Sequence, residues 1–235
     1  MTKVDMEAYI NGRPYLPDDE PAGMDRPIPP YPGESFHEDA PDPGQRRFKA
    51  ASSLHGKPVP EREWLVRDLI PSRTVTILGG DGGTGKSLLA LMLATAAAIS
   101  SAWLGRGVTS GKTIYVSAED DEDELHRRID DVSRAYGVDL RKVDRMSYLS
   151  LAGDDALLAT QIAPTAPLKP SGVFREIEAE MELQKPVLLV LDTLADLYPA
   201  DENNRALARQ FIGLLRGLAI RHNCAVLLLA HPSLS

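Results

Sequence analysis

Eight consecutive residues, Gly80-Asp81-Gly82-Gly83-Thr84-Gly85-Lys86-Ser87, combine four glycines with a lysine and a hydroxyl in the pattern G-x-x-x-x-G-K-[ST]. Glycines at 80, 82, 83 and 85 let backbone N–H groups turn inward around phosphate oxygens, in conformations that a Cβ would oppose. Lys86 would reach the β- and γ-phosphates of a nucleotide, and the Ser87 hydroxyl would ligate Mg2+. The flanks support this chemistry. The β-branched run Thr74-Val-Thr-Ile-Leu78 enters the loop, and an apolar segment from Leu88 leaves it as a helix whose positive dipole end faces the anion.

A second chemical position closes the run Val187-Leu-Leu-Val-Leu191-Asp192. A carboxylate at the carboxyl end of a buried parallel strand sits where open α/β sheets bind ligands, and Asp192 can hold the hydration shell of Mg2+ there. The residues after it are Thr193 and Leu194, so no glutamate follows directly to act as a general base. Glu119 is the leading candidate for that role, because it lies just past the strand Lys112 to Ser117 and reaches the same sheet edge. It also opens an acidic run, Glu119 to Glu124, that would stabilise the positive end of the following helix. Both roles can coexist, with Glu119 catalytic and the later acids capping. His231 closes the last apolar strand; it can contact a γ-phosphate and report hydrolysis, or be a solvated strand end. His126 lacks such a context and is expected to face water.

These side chains need a scaffold that brings strand ends together. Thr74–Leu78, Lys112–Ser117, Met146–Leu151, Val187–Leu191 and Ala225–Ala230 are expected strands. Between them, Leu125, Ile129, Val132 and Tyr136 recur at helical spacing, with Arg127, Arg128, Asp130 and Asp131 on the other face. Phe174, Ile177 and Met181 line up on a helix over Val173 to Gln184, and Gln161 to Gly172 reads as a loop. Asp201 or Asn203 can cap a helix running to about His222. Alternating strands and helices predict an α/β fold with a mostly parallel sheet flanked by helices. Trp64 and Trp103 could stack on a base, but the core is the better expectation for both.

Charge and proline content divide the chain. Nine of 18 prolines lie at or before Pro43, and that stretch carries ten acidic residues against Lys3, Arg13 and Arg26, a net −7. The whole chain carries −8, which leaves −1 for the remainder, so net charge does not exclude a nucleic-acid partner. Residues 1–55 are expected to form a disordered Pro-rich acidic arm, and residues 56–235 the folded domain. Cys224 is the single cysteine, so there is no disulfide framework and no cysteine zinc cluster. The N-terminus does not read as a signal peptide and no apolar run spans a membrane, so a cytoplasmic location is expected.

Taken together, Ile77 to Ser87, Tyr115-Val-Ser-Ala-Glu-Asp120, Leu189-Val-Leu-Asp-Thr193 and Leu229-Ala-His231 resemble the RecA-like ATPases of the plasmid RepA replicative-helicase type. These are found also as phage AAA-family ATPases. The resemblance spans about residues 60 to 235. It implies a RecA-like P-loop domain that binds ATP and Mg2+, uses Glu119 as catalytic base, assembles as a hexameric ring and moves on single-stranded DNA. It also implies a DNA-binding loop and an activating arginine beyond Ser235, so the domain is expected to be incomplete at its C-terminus. The position of the family's first DNA-facing loop, Asp196 to Asn204, carries Asp196, Asp201 and Glu202 and no base before Arg205. The alternative is a slow-hydrolysing nucleotide-binding module that acts through assembly and recruits a partner through its arm. A P-loop kinase fits less well, since no acceptor site is evident.

Overall fold

The computed structural model describes residues 9–10, 13–14, 48–163, 166–199 and 204–231. The chain divides into two units, Met1–Pro58 and Val59–Ser235. In the first, β1 (Tyr9–Ile10) pairs antiparallel with β2 (Arg13–Pro14), and a single 3-10 turn spans Ala51–Leu54. Most of the arm expected over residues 1–55 lies outside the described residues.

The second unit begins with a short antiparallel pair, β3 (Trp64–Val66) and β4 (Ile70–Pro71). It continues through β5 (Val75–Gly79), α1 (Lys86–Ile99), β6 (Thr113–Ser117), α2 (Glu122–Ala135) and β7 (Met146–Ser150). A two-stranded excursion follows, β8 (Ala159–Thr160) with β9 (Lys169–Pro170), the second strand inside the stretch expected as loop and the first just before it. The chain then returns through α3 (Gly172–Gln184), β10 (Leu188–Asp192), the single turn α4 (Leu194–Leu197), α5 (Arg205–Arg221) and β11 (Ala225–Ala230). Strands β5, β11, β10, β6 and β7 form one sheet in that order, every neighbouring pair parallel. This is a RecA-like P-loop α/β sheet, with β11 inserted between the strand that feeds the glycine loop and the strand that ends in Asp192.

Alternation along the strands sorts the core into two faces. On β10, Leu188 and Val190 pack with α1, α2 and the β3–β4 pair, while Leu189 and Leu191 pack with α3 and α5. Both sets are fully buried, which explains a strand with no polar residue before its end. The helix α1 is alanine-rich and buried on most sides, consistent with its place against the sheet centre. Trp103 is core: it is buried, and its indole N–H donates to the Leu89 carbonyl. The cap of α5 differs from expectation. Asn204 performs it, its side chain accepting from the Leu207 N–H, whereas Asp201 and Asn203 lie outside the described residues.

Candidate functional site

The glycine loop connects β5 to α1. The Gly80 N–H donates to the carbonyl of Ala230, so the loop starts tied to the end of β11. Gly85 caps α1 at φ 85° and Gly83 sits at φ 73°, the left-handed region where a side chain would be strained. A Cβ on Gly80 would come within 3.1 Å of Thr84 Oγ1, so the loop is wound tightly on itself. Lys86 folds back over it: Nζ donates to the carbonyls of Gly80 at 2.6 Å and Asp81 at 2.8 Å. Thr84 closes the turn by donating from Oγ1 to the Asp81 carbonyl.

Strand parity places the deeper groups. Counting back from Asp192, Val190 and Leu188 face α1, so Asp192 points to the same side, beneath the glycine loop. In the β10–β6 register Val190 lies opposite Tyr115 and Asp192 opposite Ser117. Tyr115 is thus the diagonal neighbour of Asp192, within reach of a long aromatic side chain. Its hydroxyl donates to Asp192 Oδ2 at 2.7 Å and lies 3.3 Å from the Ser87 carbonyl. Both residues are 1% exposed. Burial pushes the Asp192 carboxyl above the usual carboxylate range; the hydrogen bond from Tyr115 opposes that shift, and the charge of Glu119 adds to it.

The segment after β6 carries Glu119 and is held on several sides. The Ala118 N–H donates to the Asp192 carbonyl, the Asp120 N–H to Ser117 Oγ, and Ser150 Oγ to the Asp120 carbonyl. The Asp120 carboxylate pairs with Arg128 at 2.7 Å, and Arg128 also donates to Glu124. Asp121 caps α2 by accepting from the Glu124 N–H, so the later acids of the run serve the helix start.

His231, one residue past β11, links the two halves. Its Nδ1 lies 3.3 Å from Lys86 Nζ and its Nε2 lies 3.4 Å from Glu119 Oε1. An ammonium offers donors only, so Nδ1 accepts and the ring proton sits on Nε2, facing the carboxylate.

These groups surround an open cavity of about 480 Å3, within the range of small-molecule sites. Gly83, Gly85, Lys86, Ser87 and Leu88 form one wall. Glu119, Arg128 and Asp131 form the opposite side, and Thr193 and His231 project from the ends of β10 and β11. Asp192 lies below, out of contact with the open space.

Mg2+ is the ion that a P-loop implies, and the donor set fits it. Asp192 Oδ1 is buried with no hydrogen-bond partner, an orphan acceptor beside the Ser87 helix start. Among the described residues no cluster of three or more His, Cys, Asp or Glu side chains could hold a metal alone. One carboxylate and one hydroxyl, completed by phosphates and water, is the way Mg2+ is usually held.

The structure brings the glycine loop, Lys86, Ser87, Glu119, Asp192 and His231 to one edge of the sheet. Arg128 and Asp131, expected on the polar face of α2 with Arg127 and Asp130, line the cavity. Helical spacing could not reveal this, because it does not say what lies opposite the polar face; there Arg128 pairs with Asp120. In the sequence Tyr115 is legible only as part of a strand; the signal that could have found it is the row of hydroxyls Thr113, Tyr115 and Ser117 on the face shared with Asp192. His126 is exposed, at a separate cleft on α2.

Residues 40–234 match the model of a protein family described as an AAA domain. The match covers most of the chain, which therefore belongs to that family.

Proposed function

We propose that this AAA-family chain is an ATP-hydrolysing RecA-like domain of the RepA-type replicative-helicase kind, coupling turnover to DNA. The observation that carries this reading is the linkage of Lys86, His231 and Glu119 across the cavity mouth. A phosphate-binding cation, a carboxylate and a histidine able to exchange between them occupy the place where a γ-phosphate and its attacking water would meet.

The roles follow from placement. Backbone N–H groups of residues 80–85 and the Lys86 ammonium bind the phosphates. Ser87 Oγ and Asp192 Oδ1 would hold Mg2+, which when bound neutralises phosphate charge. Glu119 orients the attacking water and accepts its proton. His231 loses its lysine partner when Lys86 turns to the phosphates, so the ring's remaining partner is Glu119; this ties the state of the nucleotide to the end of β11. Arg128 acts through Asp120 to fix the turn that carries Glu119. Assembly as a ring of identical subunits and single-stranded DNA as partner belong to the same reading.

The test is ATP turnover by the full chain at low salt, with and without single-stranded DNA. Stimulation by DNA is expected. Turnover that DNA leaves unchanged would overturn the motor reading and favour a slow-hydrolysing assembly module.

A further inference from the structure

The helix α5 contains four arginines and no acidic residue. Three of them, Arg205, Arg209 and Arg216, are spaced i, i+4, i+11. At about 100° per residue they fall within about 40° of one another, and they extend about 16 Å along the axis. The opposite side of the helix, Leu207, Phe211, Leu215 and Leu218, is buried against the sheet. The arginines are exposed and border a shallow groove of about 490 Å3, whose floor is Ala208, Ile212 and Gly213.

The three are not engaged in holding the fold. Each arginine of α2 pairs with a carboxylate: Arg127 with Glu124, Arg128 with Asp120 and Glu124, Arg134 with Asp130. Arg221, on another side of α5, pairs with Glu178. Arg205, Arg209 and Arg216 form no ion pair among the described residues. Arg205 also stands in the first turn of the helix, where the macrodipole disfavours a cation. The fold gains nothing visible from them.

We infer that this arginine line is a docking track for the phosphodiester backbone of a single strand of nucleic acid. Guanidinium groups match phosphate oxygens in a bidentate fork. Cations in a straight row on an acid-free helix complement a linear polyanion, and the small groove floor admits a chain lying along it. No aromatic side chain lines the groove among the described residues, so bases would not be stacked or read, and binding is indifferent to sequence. An acidic protein partner would need apolar anchors, and in the groove itself the apolar side chains are the half-buried Ala208 and Ile212. The inference rests on the functional reading above only for the coupling of this strand to ATP turnover.

The experiment measures binding of a labelled homopyrimidine oligonucleotide to the full chain, without nucleotide, across a salt series. Wild type is expected to bind with affinity that falls as salt rises. Arg209→Ala combined with Arg216→Ala is expected to weaken binding about tenfold at low salt, and to lower the log–log salt slope by about 1.4, roughly 0.7 per lost phosphate contact. Arg209→Lys with Arg216→Lys should retain most of the binding. Basal ATP turnover and the unfolding midpoint should stay at wild-type values in both. Unchanged oligonucleotide affinity in the alanine variant overturns the track while leaving the ATPase reading intact. So does absence of binding by wild type, or displacement of the oligonucleotide by poly-glutamate at equal charge concentration. Loss of binding in the alanine variant alongside a wild type that hydrolyses no ATP would support the track and overturn the ATPase reading.

Discussion

The Tyr115 hydroxyl donates to Asp192 Oδ2 at 2.7 Å, leaving Oδ1 as the buried oxygen without a partner. One bond thus orients the carboxylate and reserves one of its oxygens. Tyr115→Phe keeps the ring in the core and removes only the donor. Loss of such an outer partner usually costs about 10–100-fold in metal affinity. Binding of Mn2+ in the presence of a non-hydrolysable ATP analogue, followed by electron paramagnetic resonance, is expected to weaken by that factor. Metal-free nucleotide binding should not change. Equal Mn2+ affinity would show that the bond serves packing alone.

Glu119→Gln retains the size of the side chain and removes its basicity. Turnover is expected to fall by about 10²–10⁴, the usual contribution of a general base, while binding of a fluorescent ATP analogue persists. A variant that still turns over ATP at the wild-type rate would remove Glu119 from the mechanism. Full retention of cellular function by a variant with no turnover would favour the assembly module.

Gly111 approaches β10 closely. A Cβ there would lie 3.0 Å from Val187 Cγ2 and 3.2 Å from Val187 Cβ, with Cγ1 nearer still. The Val187 N–H is meanwhile fixed to the Lys112 carbonyl at 2.8 Å, so the side chain cannot withdraw freely. Gly111→Ala is expected to destabilise the fold by about 1–3 kcal/mol, as overpacking usually does. Urea unfolding would read this as a lower midpoint, and an unchanged midpoint would contradict the packing described.

Cys224 is wholly buried, and burial pushes its thiol from the ordinary 9.0 up to about 12. The native thiol should therefore resist a disulfide reagent at mildly alkaline pH and react promptly once the chain is unfolded in urea. The contribution of this group to stability is fully present below pH 9.0, where both states hold the proton, and is lost as pH rises toward about 12. Fast labelling of the folded protein would refute the burial.

Local features were legible in the residues. The glycine–lysine–serine octet needs only its own backbone and the helix it starts, so spacing sufficed to place it. The five sheet strands were legible with boundaries shifted by a residue or so, and most plainly β6, β10 and β11, whose runs are buried on both faces, whereas the edge strands β5 and β7 are only half-buried. Parity along a strand was legible too: it is why Asp192 and Tyr115 share a side once their strands are known to be neighbours.

Neighbourhood was not legible. β5 and β11 are separated by most of the domain in sequence, yet they pair, and only this pairing brings His231 to Lys86. Arg128 and Asp131 were legible only as part of the polar face of α2, because helical periodicity reports which face a residue leaves from, not what that face borders. In the sequence the arginines of α5 follow a loop with acidic residues and stand apart from one another along the chain. The line of Arg205, Arg209 and Arg216 became distinct only when no carboxylate among the described residues paired with it, while α2 paired every arginine it carries. By itself the sequence determined the phosphate cradle and the strand–helix order, since both depend on residues adjacent along the chain. The tertiary structure decided which side chains meet across strands and which charges are left without partners, since those depend on the strand order of the sheet.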